Sequence, residues 1–457
     1  MKPSVPLSSS YRDPDGFVFV ENGYIYRYIG PAYFENYELL FSSGLYYDLT
    51  EKGRLVKHEE ITPEPGADYK IILPEQIPFI SYPYEWSFDM WKDAAIVTLK
   101  IAILAQKKGM MLKDATPFNI QFNKGQPVFI DTLSFERYDP QKPWIAYRQF
   151  CECFLGPLLL MKYCHRDMAK FIRVYPEGIP LEIICNLLPA RAFLNIYVQL
   201  HILIQRKISS RNKKNKASRF LFSHKKLQVL LGVLLDMLLN MKPKEKQSVW
   251  KNYYTETILG AGYLSAKEEI FKKISADIPF KSVIDLGAND GNFSMLLRDR
   301  AASIIATDGD SNCINMLYKN LKKEKIKNIV PLVSELTAPS PALGWANAER
   351  TSLTSRLKGD LILALALVHH LAIAGNVPLS FIAKWLSGMG PFLIIEFVPK
   401  SDEKVQQLLM HRKDIFPHYT HQEFKKEFGI YFTAISEERI GNTERILFLM
   451  KRNDRPA

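Results

Sequence analysis

The chain has 457 residues, 47% of them hydrophobic and 24% charged, which is an ordinary globular composition and enough chain for two or three domains at roughly 100–200 residues each. Its five cysteines form no CxxC pair and no metal-ligand spacing. That argues against a disulfide framework and for a reducing, cytoplasmic setting. The net charge of +12 is uneven, at −3 over residues 1–150, +11 over 151–250 and +4 over 251–457, so the basic excess is local and nucleic-acid binding by the whole chain is disfavoured. The polar start Met1-Lys2-Pro3-Ser4 has no apolar h-region behind it, and no signal peptide is expected. No uncharged apolar run reaches the ~18 residues that a spanning helix needs.

Three parts follow along the chain, 1–150, 151–250 and 251–457. In the first, Phe17-Val18-Phe19-Val20 and Tyr24-Ile25-Tyr26-Arg27-Tyr28 flank Glu21-Asn22-Gly23, a pattern that predicts a hairpin. Ala94 to Lys108 places Ile96, Leu99, Ile103 and Leu104 at helical spacing. Next, the apolar runs on either side of Asn123–Gln126 predict a second hairpin. It would bring Asn119 and Asp131 together with Asp114 one loop away, so that two oxygens hold Mg²⁺ and Asp114 accepts a substrate proton.

Asp114 precedes Asn119 by five residues and Asn119 precedes Asp131 by twelve. In this the segment resembles the catalytic loop and metal-binding pair of protein kinases and aminoglycoside-type phosphotransferases. The resemblance implies an α+β kinase-like domain and Mg-ATP. It departs at Leu112, where a histidine is usual, and at Thr132-Leu133 in place of Phe-Gly; no glycine loop is evident, and only Arg27 offers a strand cation. Three readings stay open: acids that cap turns, a degenerate kinase-like binding module, and an active phosphotransferase.

The middle part is nearly all helical by pattern. No acid occurs between Glu182 and Asp236, and Arg206 to Lys226 carries nine Lys or Arg. An apolar helix, Leu227 to Met241, follows and is stopped by Pro243. The segment 206–241 can be read as a solvated loop beside a core helix, as an attachment to an anionic membrane surface, or as a polyanion site. Only Phe220 and Phe222 interleave with the cations, so a platform for single-stranded nucleic acid is not indicated.

The third part alternates strands and helices, which predicts a parallel sheet covered on both faces. Val283-Ile284-Asp285-Leu286 is followed by Gly287-Ala288-Asn289-Asp290-Gly291 and a helix from about Phe293. The glycines permit a tight turn and close backbone approach to a ligand. About 20 residues on, a second strand ends at Asp308, an acid able to accept hydrogen bonds from ribose hydroxyls. Further strands are expected at Ile329–Val333, Leu361–Leu367, Leu393–Phe397 and Ile446–Met450.

A dinucleotide fold wants G-x-G-x-x-G, whereas here Asn289 stands at the middle glycine and Asp285 precedes the turn. The stretch resembles motif I of class I S-adenosylmethionine-dependent methyltransferases. That implies a doubly wound, seven-strand-type α/β domain over 251–457. Asp285 would lie near the methionine moiety, Gly287, Ala288, Asn289 and Gly291 along the ligand, Asp308 on the ribose and Glu335 on the adenine side. The run ending in Val368-His369-His370-Leu371 resembles the fourth strand of such enzymes, whose end faces the methyl group. An imidazole there suits a general base, so His370 or His369 is a candidate. Otherwise each caps the strand or packs on the next helix.

Taken together, the two resemblances suggest a bacterial, nodulation-related type of methyltransferase protein. It would be cytoplasmic or peripheral at a membrane, acting on an oxygen or nitrogen of a small molecule, glycan or lipid. Two alternatives are kept. One is a non-catalytic scaffold joining a pseudokinase to a cofactor-binding domain; the other is a bifunctional kinase-methyltransferase.

Overall fold

The computed structural model describes residues 1–207, 224–243, 262–410 and 413–454. The chain divides into two compact units. The first is Met1–Glu245 with Pro341–Thr351, and the second is Lys246–Ser340 with Ser352–Ala457.

The first unit opens with strands β1 (Gly16–Glu21) and β2 (Tyr24–Ile29), paired antiparallel from Gly16↔Ile29 to Glu21↔Tyr24. Cross-strand rings hold this register: Phe17 stacks on Tyr28 at 4.6 Å and Phe19 on Tyr26 at 5.5 Å. Position 16 has to be glycine, because a Cβ there would lie 2.2 Å from the Tyr28 carbonyl oxygen. Helices α1 (Phe34–Ser42) and α2 (Leu45–Glu51) follow, then β3 (His58–Ile61) and β4 (Lys70–Pro74), giving an antiparallel sheet in the order β1-β2-β4-β3.

Helix α3 (Phe88–Lys107) is long because Ala, Leu, Ile and Lys dominate it, and it stops where Gly109 takes φ 75°. Trp91, Ala94, Ala95, Leu99 and Ile101 on it are all fully buried. After it come β5 (Met110–Leu112), the hairpin β6 (Ile120–Asn123) and β7 (Gln126–Phe129), and β8 (Phe135–Arg137), which pairs with β5. The β6–β7 loop is Lys124-Gly125, both at positive φ, the geometry that matches a two-residue turn to strand twist.

The middle of the chain is helical, in short pieces. The helix His224–Leu239 packs on α3 and buries Leu227, Leu231, Leu234, Met237 and Leu238, so most of its apolar face is spent inside the unit. Of the basic run, residues 208–223 lie outside the described ones.

The second unit is built on seven strands: β9 (Ser282–Leu286), β10 (Ser303–Asp308), β11 (Ile329–Val333), β12 (Leu361–Ala364), β13 (Phe392–Phe397), β14 (Phe432–Arg439) and β15 (Ile446–Arg452). Their order is β11-β10-β9-β12-β13-β15-β14. β9 to β13 pair parallel, and β15 enters antiparallel between β13 and β14. Val283, Leu361, Leu363 and Ile394 belong to the core on one face with Phe271 and Phe293. The alternate residues Ile284, Leu286, Ile362 and Ile395 are equally buried, as continuous apolar strands require. The strand order reverses between β9 and β12, and the crevice at their carboxyl ends is where such sheets take ligands.

Two sequence expectations need adjusting. The strand expected over Leu361–Leu367 ends at Ala364. Ala366 then takes φ 49°, a left-handed conformation strained for a residue with a Cβ. β14 had no expectation at all: only Phe432 of it is fully buried, so it shows no apolar periodicity.

Candidate functional site

At the end of β9 the chain turns sharply, with Gly287 at φ 73°, Asn289 at 53° and Gly291 at 84°. The Gly287 and Ala288 amides donate to the Thr307 carbonyl at 2.8 and 2.9 Å. The Asn289 amide donates to Asp308 Oδ2 at 2.9 Å, and that of Asp310 to Oδ1 at 2.8 Å. The glycine turn and the second acid are thereby locked together. Each Asp308 oxygen keeps lone pairs for a further donor. Burial, eased by these two amides, leaves the Asp308 carboxyl above its ordinary range.

The two glycines serve different ends. A Cβ at Gly287 would come 3.3 Å from Leu367, whereas at Gly291 it would lie 2.5 Å from Leu317. Gly291 is therefore demanded by packing of the turn on the helix Ser311–Glu324, a reason that the sequence pattern alone does not disclose.

Asp285 is 2% exposed and accepts a 2.7 Å hydrogen bond from Ser294 Oγ. Burial pushes its carboxyl up to about 6; Ser294 and Lys267 oppose the rise, and the charge of Asp308 adds to it. Glu335 is exposed, with an oxygen 3.1 Å from where a Cβ of Gly309 would stand, so its carboxylate lies beside the Asp308 turn.

His369 and His370 follow the strained Ala366 turn, their rings 4.2 Å apart. His369 is fully buried, and neither ring nitrogen has a hydrogen-bond partner among the described residues. Burial, His370, Arg445 and Lys267 all push it well below the usual imidazole range. Burial also lowers His370, against the pull of Glu335. Both rings are thus neutral at neutral pH, and a neutral imidazole can take a proton.

Beneath the site runs a buried ionic network with no counterpart among the sequence expectations. Lys267 Nζ stands 2.6 Å from Glu396 Oε2, and Arg445 3.3 Å from Glu396 Oε1. Arg445 also grips Asp402 through two bonds of 2.7 and 2.9 Å, and Tyr263 donates to Glu396 at 2.6 Å. Leu363 pairs in register with both Asp285 and Ile394, so Glu396, two residues beyond Ile394, shares the face of Asp285. One signal could have pointed to it: a lone acid inside the apolar run Leu393–Phe397 needs a buried partner.

In the first unit, Asp114, Asn119 and Asp131 come together, but on one another's groups. Asn119 Nδ2 donates to Asp114 at 3.0 Å and to Ser134 Oγ at 3.3 Å, and Gln149 donates to Asp114 at 2.6 Å. Asp131 pairs with Arg27, and it accepts from Ser134 and from the Leu133 amide. Burial would raise Asp131, but Arg27 and these bonds outweigh it and hold the carboxyl low. Burial and the Asp131 charge raise Asp114. No group of three or more His, Cys, Asp or Glu is placed to hold a metal among the described residues. The cation that faces the Asp131 carboxylate among the described residues is Arg27.

A mixed seven-stranded sheet with a ligand crevice at its order reversal and acids on either side of a glycine turn defines a class I S-adenosylmethionine-dependent methyltransferase fold for the second unit. The chain as a whole belongs to the family of nodulation protein NoeA. It is 32% identical to that protein from Rhizobium meliloti (strain 1021) over 461 aligned residues, 98% of this chain and 96% of the relative. No protein-family model matches the chain. Among solved structures, the PH0226 protein from Pyrococcus horikoshii OT3 shares 16% identity over 44% of this chain and 96% of its own, with a TM-score of 0.32. WbdD shares 14% over 47% of this chain and 46% of its own, TM-score 0.32. The N-methyltransferase NodS from Bradyrhizobium japonicum WM9 shares 11% over 42% and 98%, TM-score 0.31. These TM-scores are too low for the likenesses to bear on function.

Proposed function

We propose that the second unit transfers the methyl group of S-adenosylmethionine to an oxygen or nitrogen of a small-molecule, glycan or lipid acceptor. The observation that carries this reading is Asp308, anchored by two amides at the carboxyl end of β10, beside the Gly287–Asn289 turn at the reversal of strand order. The residues fit the cofactor. Asp308 would take the ribose hydroxyls, the open turn would pass along the ligand, Asp285 would face its cationic methionine end, and Glu335 would lie toward the base. When bound, the cofactor supplies an electrophilic methyl group on a sulfonium. The chain's own part is alignment of the acceptor and, at His370, removal of the acceptor proton by a neutral imidazole. His369 has no room to act on a substrate and serves as a packing group.

Calorimetry tests the reading. Asp308→Ala removes charged acceptors worth about 1.5–3 kcal/mol, so S-adenosylmethionine should bind roughly 10–100-fold more weakly. Binding as tight as in the parent would place the site elsewhere. Valine at Gly287 is a poorer probe, because φ 73° strains any branched residue there.

For the first unit, the Arg27–Asp131 pair favours a kinase-like module without phosphoryl transfer. Its partly buried carboxylate is balanced by a side chain, and Mg²⁺ would have to displace the guanidinium. Mg-ATP is accordingly expected to leave the melting temperature unchanged, whereas bound nucleotide at about 100 times its dissociation constant would add ~2.7 kcal/mol of stability. A clear upward shift in the parent that is absent from Asp131→Asn would restore the bifunctional reading.

A further inference from the structure

We propose that the second unit attaches to an anionic lipid surface through the C-terminal end of the helix Ser311–Glu324 and the turn that follows it. Between Lys319 and Lys327 five lysines accompany a single acid, Glu324, and all five are exposed. This stretch alone carries +4, as much as the whole of 251–457, so the rest of those residues are neutral on balance. Glu324 does not offset the lysines, because Arg298 reaches it at 3.2 Å. Lys319, Lys323, Lys325 and Lys327 form no ion pair among the described residues.

The negative end of a helix dipole accounts for Lys322 and Lys323 in the last turn. It does not account for Lys325 and Lys327, which lie beyond the helix. Lys325 takes φ 58° at the cap, a left-handed position that glycine ordinarily fills, so a cation stands there at a cost in backbone strain. This end of the helix lies at the amino ends of the parallel strands: Asn328, just ahead of β11, donates to the Arg298 and Ala301 carbonyls, just ahead of β10, at 2.7 and 2.8 Å. The Gly287 turn, Asp308 and Glu335 are at the opposite, carboxyl ends.

Charge and shape together select the occupant. The helix buries Cys313, Ile314, Leu317 and Leu321 on its other side, and a cluster of four or more cations on an amphipathic helix is the pattern that anionic headgroups attract. Nucleic acid fits this face less well. No aromatic ring is exposed between 276 and 328 for a base to stack on. Both arginines of this end are engaged, Arg298 on Glu324 and Arg300 on the Ser275 and Ala276 carbonyls. The lysines are point charges without the planar fork that grips a phosphodiester. No large apolar side chain is exposed there either, so the attachment is by field alone and yields to salt.

The test is partitioning of the full chain onto phosphatidylcholine vesicles, with and without phosphatidylserine. Two variants accompany the parent. One combines Lys319→Gln, Lys323→Gln, Lys325→Gln and Lys327→Gln; the other changes the same four lysines to arginine. The parent and the arginine variant should bind the anionic vesicles alone and be released by salt. The glutamine variant should bind at least about tenfold more weakly while melting at the parent's temperature. No binding of the parent to anionic vesicles overturns the proposal, as does equal binding by the glutamine variant. Tighter binding of the parent to a duplex oligonucleotide than to anionic vesicles, lost in the glutamine variant, would overturn it in favour of nucleic acid.

Discussion

Asp285 is a carboxylate whose protonation the fold controls. Its folded pKa, about 6, lies above the ordinary value of 3.8, so the folded chain binds this proton more tightly than the unfolded one. The sign follows from linkage: stability due to this group is fully present below about pH 4 and is lost as the pH rises through about 6. A shift of that size corresponds to about 3 kcal/mol. Relative to Asp285→Asn, the unliganded parent should therefore lose stability between pH 4 and pH 7, as urea unfolding at several pH values would register. A constant difference between the two proteins across that window would mean that Asp285 titrates normally. Acid and glycine here were legible in the sequence because the turn is local: strand, Asp285, Gly287 and the helix that follows lie within a few residues of one another. The separate duty of Gly291 was not, since Leu317 reaches it from another helix.

At the scale of elements, the network of Lys267, Glu396, Arg445 and Asp402 ties the helix Gly262–Ser275 to β13 and to the start of β15. Glu396 stands between two cations, all three side chains at most 1% exposed. Glu396→Gln would leave Lys267 and Arg445 buried with only Asp402 in balance. Breaking such a pair costs about 3–5 kcal/mol, and chemical denaturation should show a loss of that order with the sheet otherwise preserved. A loss below about 1 kcal/mol would mean that water reaches the network. No periodicity could have announced it, because its members are far apart in the chain and meet only through the sheet register. β14 escaped notice for the opposite reason: an edge strand with one fully buried side chain has nothing to repeat. The strands β9 to β13 were readable because burial on both faces makes them continuously apolar.

For the whole molecule, what could not be read was which stretch folds with which. Pro341–Thr351 is encoded between β11 and β12 of the second unit yet belongs to the first. Its Glu349 accepts from Tyr11, from Arg12 at 2.9 Å and from the Trp345 amide at 2.8 Å. Although burial opposes ionisation, these bonds hold its carboxyl at about 2. Arg350 lies 3.9 Å over the ring of Phe118, between Asp114 and Asn119. A fragment ending at Glu245 lacks these partners. Losing about 1–2 kcal/mol of charge-assisted bonding should lower its melting temperature by roughly 2–8 °C, and a peptide spanning 341–351 should recover part of that. Equal melting with and without the peptide would show that the first unit is complete without it.

The same stretch imposes an order of events on synthesis. The first unit's own chain has emerged once Glu245 is made, but its last piece follows roughly a hundred residues later. At about 5–20 residues per second the wait is roughly 5–20 s. Throughout it Tyr11, Arg12 and Phe118 stand without the strap that will cover them, while β9, β10 and β11 of the second sheet have already been made. The first unit's chain is therefore complete well before the second's: its strap ends at Thr351, whereas the second sheet still awaits β12 to β15, the last of which ends at Arg452.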